Sequence, residues 1–205
     1  MPRLTPLNLP TFHQLIRPGF SGWRMLLLAW LAVFFTGPGQ TYGTSAFVDP
    51  MIEDLDMSRS LFSALYSVGT LASAAVLMLL GRQIDNRGSR LVLAAATAGL
   101  ALGAFALGLA NGPVLVLVGF ALTRACGQGL MGLAARTMIP HWFVTQRGKV
   151  FSLLGLASTF SLAIIPPVHE RLIAWFGWRG AWMVDAAVLA IVLVPLFEVF
   201  VRSKP

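Results

Sequence analysis

Six apolar runs, at residues 24–48, 60–80, 91–110, 114–139, 150–175 and 180–201, fill most of the 205-residue chain and leave short polar connections between them. The hydrocarbon core of a bilayer is about 30 Å thick, and a helix needs roughly 20 apolar residues to cross it. Each run meets that length. Backbone N–H and C=O groups find no water in lipid, so a spanning segment must satisfy them internally, as a helix does. The pattern therefore predicts an all-α integral membrane protein with six transmembrane helices and the lipid bilayer as its first partner. A charged fraction of 11% and a mean hydropathy of +0.76 agree, since soluble domains carry about 25% charged residues.

Charge in the connections orients these helices, because Lys and Arg accumulate on the cytoplasmic side of a membrane. With the N-terminus inside, eleven of the fifteen basic residues fall on cytoplasmic segments and three, Arg59, Arg171 and Arg179, fall outside. Both termini are thus expected in the cytoplasm, in a multi-pass protein of the plasma (inner) membrane. Residues 1–22 read as a polar cytoplasmic leader, holding Arg3 and Arg17 but no apolar core of signal-peptide length. Residues 203–205 read as a short cytoplasmic end. The net charge of +7 belongs to this alternation and not to one basic patch, so no nucleic-acid partner is expected. A single cysteine, Cys126, excludes a disulfide within the chain. No cofactor or metal is expected.

Two runs carry polar interruptions. The first is broken by Gly37-Pro38-Gly39-Gln40-Thr41-Tyr42-Gly43, where proline removes a backbone donor and kinks a helix. Irregular backbone at membrane depth is tolerated mainly where it faces protein or a wet cavity. Two readings stand: this run lines a cavity, or its glycines permit close packing. The fourth run contains Arg124, Gly127, Gln128, Gly129 and Gly132. Counted inward from Val114, Arg124 lies roughly 15 Å deep. A charge there costs at least ~2.5 kcal/mol and belongs in the bundle interior with a partner. That partner is a substrate anion, or else helix carbonyls or Asp185 of the sixth run. Gln40 and Gln128 reach similar depths from opposite sides, the signature of an inverted three-plus-three repeat.

Other polar residues are less specific. Asp185 reads either as a proton-coupling carboxylate or as a group hydrated near the outer rim. His169 follows Pro166-Pro167 and reads as an interfacial residue in preference to a proton carrier. With Glu170 it begins like a zinc-protease motif, but Ile173 stands where the second histidine is required. No nucleophile and base can be placed together, so an enzyme is not expected. Asp49, Glu53, Asp54 and Asp56 form an acidic, solvated connection, and Ser58 after them is a natural N-cap for the second helix.

The connection at residues 81–90, Gly-Arg-Gln-Ile-Asp-Asn-Arg-Gly-Ser-Arg, reads as a short charged loop bracketed by Gly81 and Gly88. Its Gly81, Asp85, Gly88 and Arg90 match in register the loop between helices two and three of the major facilitator superfamily. Asn86 and Ser89 stand where that family has arginines, with Arg87 beside the first. Arg124 with Gly127-Gln128-Gly129 is similar to the family's fourth-helix signature, displaced by one residue. Residues 23 to 202 thus resemble the N-terminal six-helix half of a major facilitator transporter. Thr41-Tyr42-Gly43, Trp142-Phe143 with Arg147-Gly148, and Gly177-Trp178-Arg179 resemble the monocarboxylate and oxalate/formate antiporter group within it.

The resemblance implies half of a major facilitator fold working by alternating access, with the first and fourth helices lining a midplane site. It implies transport of a small organic anion, with Arg124 as counter-charge and Gln40, Tyr42 and Gln128 as polar contacts. Residues Gly81, Asp85, Arg87, Gly88 and Arg90 correspond to a cytoplasmic gating loop. There Asp85 meets a helix end of the other bundle or, within this chain, Arg136. Six helices are half of the family's complement, so a C-terminal six-helix half or a second copy is the expected partner. The alternative is a non-transporting truncated, partner or sensor subunit.

Overall fold

The computed structural model describes residues 21–143 and 146–201, with the backbone alone at residues 21, 79–87 and 141. Among these residues the regular structure is entirely helical. α1 (Ser21–Phe34) leads through a 3-10 turn at Gly37–Gly39, a single helical turn α2 (Thr41–Thr44) and a second 3-10 turn at Ser45–Phe47 into α3 (Val48–Asp54). α4 (Arg59–Arg87) and α5 (Ser89–Gly108) follow. α6 (Pro113–Thr123) passes through a π-helical stretch, Arg124–Met131, into α7 (Gly132–Met138). α8 (Arg147–Ala187) passes through a second π-helical stretch, Val188–Leu193, into α9 (Val194–Phe200).

Four stretches are long and apolar enough to cross a membrane: Arg59–Met78, Ser89–Gly108, Pro113–Met138 and Arg147–Phe200. The last has 54 residues and would be about 80 Å long if straight, more than twice a bilayer core. It is not straight. Gly177 has φ 70 and ψ 169, a left-handed conformation that glycine alone adopts without penalty. His169 and Asp185 approach to 2.9 Å, where sixteen residues of straight helix would hold them about 24 Å apart. The chain reverses at Gly177. α1 ends at Phe34, because the glycines and proline of 37–39 divert the backbone there.

The connection at 81–90 differs from the loop expected of it. α4 runs on through Arg87, and Gly88 alone, at φ 79 and ψ 144, separates it from α5. The intervening residues Arg82, Gln83, Ile84 and Asp85 are compatible with a helix, and a lone interior glycine such as Gly81 costs only about 1 kcal/mol. The side chains of Gly81, Asp85 and Arg87 lie outside the described set, as do residues 1–20 and 202–205. Arg90 is exposed at the start of α5. Ser58 caps α4 as its position predicts, accepting the Leu61 N–H at 3.2 Å.

Packing divides the interior into two apolar clusters. One gathers Met25, Leu28, Leu93, Leu100, Met131, Met138, Phe143, Leu154 and Phe197. The other gathers Phe47, Met51, Phe62, Leu107, Phe120, Trp178 and Trp182. Along the chain, α1 begins in the first cluster and Phe47 and Met51 lie in the second. α5 runs from the first to the second, and α6 to α7 runs back. α8 leaves the first at Val150 and Leu154, reaches the second at Trp178, and returns through Leu189 to Phe197. Each passage changes cluster at small or polar residues: Thr36 to Thr44, Ala101 to Ala104, Thr123 to Gln128, and Ser161. The helical passages thus place a polar layer between two greasy ends, and the candidate site lies in that layer.

Candidate functional site

The broken first run and the π-helical fourth run meet backbone to backbone. A Cβ on Gly39 would lie 2.9 Å from the Cα of Gly127, and one on Gly127 would lie 3.0 Å from the Cα of Gly39. Only glycines permit that approach. Both partners are irregular at the contact, so each can turn main-chain groups toward the other.

Arg124 opens the π-helical stretch and is 5% exposed. Its Nε–H donates to Thr70 Oγ1 at 3.2 Å. Nη1 donates to the Gly39 carbonyl and to Thr41 Oγ1, each at 3.2 Å. The guanidinium lies 4.9 Å from the centre of the Tyr66 ring, and the Tyr66 hydroxyl donates to Thr41 Oγ1 at 3.0 Å. Three of its five N–H donors are therefore spent on neutral oxygens. The ion pairs among the described residues all lie elsewhere, at Arg59–Asp49, His169–Asp185 and Arg179–Asp54. Arg124 is a buried cation tied to a carbonyl and two hydroxyls, and Asp185 is not its partner.

Gln40, Tyr42 and Gln128 come together in one cavity of about 240 Å³, with Thr36, Arg136 and Ser158 in its wall. Gln40 Nε2 donates to Thr36 Oγ1 at 3.3 Å. The Tyr42 hydroxyl donates to Ser161 Oγ at 2.8 Å, and Ser161 in turn donates to the Phe34 carbonyl at 2.7 Å. Arg124 does not line this cavity. It grips Gly39 and Thr41, the residues on either side of Gln40, and so fixes the segment that carries the lining side chains. Arg136 does line it. Sequence reasoning assigned that residue to the gate, although Gln128, Gly132 and Arg136 share one helix face at i, i+4 and i+8.

A second polar cluster lies farther along the broken segment. His169 is 1% exposed and the Asp185 side chain 14%. Nδ1 of His169 stands 2.8 Å from the Gly43 carbonyl, and Nε2 stands 2.9 Å from Asp185 Oδ2. That second contact has the distance of an ion pair without the alignment of a hydrogen bond, and neither atom has another partner among the described residues. The His169 ring packs edge-on against Phe47 at 5.0 Å, while Trp182 stacks on Phe47 at 4.2 Å. The interfacial reading of His169 therefore does not hold. Its Pro-Pro neighbours and charged successor mimic a helix end, yet it is enclosed because the chain turns back at Gly177 and lays Asp185 beside it.

The family model for the Major Facilitator Superfamily matches residues 28–205. The chain is 31% identical to a probable L-galactonate transporter of Escherichia coli over 157 residues, which are 74% of this chain and 33% of that protein. It is 24% identical to a triacylglyceride transporter of Mycolicibacterium hassiacum over 191 residues, 90% of this chain and 36% of that protein. Membrane-length helices, two interrupted runs joined at paired glycines and a buried arginine between them describe a polytopic membrane-protein scaffold. The chain belongs to the Major Facilitator Superfamily. It spans about a third of the length of these curated relatives.

Proposed function

We propose that this chain contributes one half of a secondary transporter that carries small organic anions, monocarboxylates among them, by alternating access and exchange. Its place is the plasma (inner) membrane, with six crossings in an inverted three-plus-three arrangement and both termini cytoplasmic. The passage of the chain back and forth between the two apolar clusters, and the excess of basic residues on one set of connections, support that topology. A C-terminal six-helix half or a second copy completes the pathway. α4 supports such a partner. Only 17% of its apolar window is buried, close to the 22% of Arg147–Phe200 and below the 56% of α5 and of α6 to α7, and it leaves Leu71 and Met78 largely exposed.

The observation that carries the anion reading is Arg124, a buried guanidinium without a carboxylate among the described residues. Neutral oxygens solvate a cation but leave its charge unbalanced, and in a low-dielectric layer that charge attracts an anion strongly. The two N–H groups of Nη2 are the donors left over for a ligand once Nε and Nη1 are satisfied. Gln40, Tyr42 and Gln128 supply neutral contacts in the adjoining cavity, and Arg136 a second positive charge. L-galactonate, named for the relative in Escherichia coli, is itself a hydroxylated monocarboxylate.

At the joint around residues 81–90, Gly81, Asp85, Arg87, Gly88 and Arg90 form the cytoplasmic gate. Gly88 is the hinge, and the counterpart of Asp85 is a helix N-terminus of the partner, where the dipole favours a carboxylate. The test of the anion reading is equilibrium binding of radiolabelled carboxylates, L-galactonate and oxalate first, to the purified chain in lipid nanodiscs. Saturable binding that falls about 100-fold in Arg124→Ala supports it. Binding of equal affinity in that variant overturns it.

A further inference from the structure

The contacts of His169 fix how many protons it shares with Asp185. A carbonyl oxygen can only accept, so the 2.8 Å contact with Gly43 requires a hydrogen on Nδ1. If the ring is neutral, Nε2 is then a bare lone pair, set 2.9 Å from a carboxylate oxygen. Two lone pairs at that distance in an apolar surround repel. One further proton relieves them, carried on Nε2 as an imidazolium facing a carboxylate, or on Oδ2 as a carboxylic acid facing Nε2.

We propose that His169 and Asp185 form a proton-binding site holding one exchangeable proton, on Nε2 or on Oδ2, and that its occupancy is read by the broken first run through Gly43. A cavity of about 280 Å³ reaches the pair, walled by Phe34, Phe35 and Pro38 of the first run and by Ile165, Val168 and Val188 of the fifth and sixth. Among the described residues no other ionisable side chain lines it. The first run faces the pair with the Gly43 carbonyl and Phe47, both uncharged. On α8, Glu170 and Arg171 are exposed and turned away. The proton enters from bulk water as hydronium and returns to it.

Loss of that proton forces a local rearrangement. The ring can keep Nδ1–H, in which case Asp185 must swing away from the bare Nε2. Alternatively the remaining hydrogen moves to Nε2 and keeps Asp185, and Nδ1 then turns a lone pair on the Gly43 carbonyl and that contact breaks. In the second case the segment bearing Gln40 and Tyr42 loses one of its ties to α8, two residues from the point where Arg124 holds Thr41, and keeps the Tyr42–Ser161 hydrogen bond. The proton site stands on its own geometry. Its link to anion affinity rests on the anion reading above.

Nitrogen-15 NMR of the purified chain labelled at histidine tests the site, with His13→Gln and His141→Gln removing the other two rings. At neutral pH the His169 ring is expected as an imidazolium, or as the Nδ1–H tautomer with the protonated Asp185 carbonyl visible in the infrared difference spectrum against Asp185→Asn. A neutral ring with its hydrogen on Nε2 and an ionised Asp185 would overturn the proposal. The second arm measures carboxylate affinity against pH. At least a tenfold change across the titration of the pair is expected, flattened in His169→Gln, which keeps an N–H donor but cannot titrate. Flat affinity in the unsubstituted chain removes the link while leaving both sites, and a titrating pair in a chain that binds no carboxylate retires the anion reading alone.

Discussion

The broken first run is held at two places by opposite kinds of charge chemistry. At Gly39 and Thr41 the holder is Arg124, a single cation with only neutral partners. Four residues on, at Gly43, the holder is His169, which has its own carboxylate at Asp185. The first arrangement carries unbalanced charge and is complementary to something from outside. The second is balanced within the chain and can change only by gaining or losing a proton. A scaffold that needs both an anion and a proton to report on one movable segment would separate them in this way.

The sharpest way to break the comparison is to remove one member of the balanced pair. Asp185→Leu leaves His169 enclosed beside Phe47 without its carboxylate and is expected to destabilise the folded chain by about 3 to 5 kcal/mol. The double variant His169→Leu/Asp185→Leu restores most of that, because apolar replacement of a buried ion pair is close to neutral. Reversible unfolding in mixed micelles reads both. If the double variant is as unstable as the single, the pair contributes packing and not charge balance.

Arg124→Ala removes the unbalanced charge and tests the other side of the contrast. Affinity for a monocarboxylate is expected to fall about 100-fold, or about 2.7 kcal/mol. Arg124→Lys keeps the charge but cannot reproduce the guanidinium's simultaneous contacts with Thr70, Gly39 and Thr41, and its deficit is expected near tenfold. Unlike Asp185→Leu, neither should be rescued by a compensating change inside the chain, since the missing partner is a ligand. A Gly39→Ala substitution comes next in size. Its methyl meets the Gly127 backbone, so the two interrupted runs must part, at a cost of about 2 kcal/mol in folding and with weaker anion binding in the same variant.

How much of this was legible from sequence follows the same division. Arg124 announces itself, because a charge ten residues inside an apolar run has no cheap explanation. Gln40, Tyr42 and Gln128 were visible as polar residues among helix-breaking glycines, and their convergence on one cavity follows from equal depths on adjacent spans. The turn between the fifth and sixth runs was expected, but nothing local says that Asp185 returns at the depth of His169 and encloses it; a contact across a reversal is a tertiary fact. The extent of α4 was likewise hidden. Charged and amide side chains look like loop in a hydropathy trace, yet their backbone propensity continues the helix to Gly88. Tyr66 and Thr70, one turn apart on α4, were missed because single hydroxyls in an apolar run usually bond to their own helix, as Thr97 does to the Leu93 carbonyl.

The smallest effect belongs to the charges outside the polar layer, and it calibrates the others. Asp49 pairs with Arg59 and Asp54 with Arg179, both in the connections and both largely open to water. Exposed pairs are worth roughly 0 to 1 kcal/mol, since solvent screens them and ordering two long side chains costs entropy. A double-mutant cycle on Asp49 and Arg59 is expected to give a coupling below about 1 kcal/mol that vanishes in 1 M salt, where the screening length is about 3 Å. Arg179 should retain more of its effect, because it also donates to the Ala110 carbonyl at 3.1 Å and lies 4.1 Å over the Trp178 ring. The same cycle on His169 and Asp185 should ignore salt. Equal salt sensitivity at the two pairs would mean that water reaches His169 freely, and the distinction between a proton site and a surface contact would be lost.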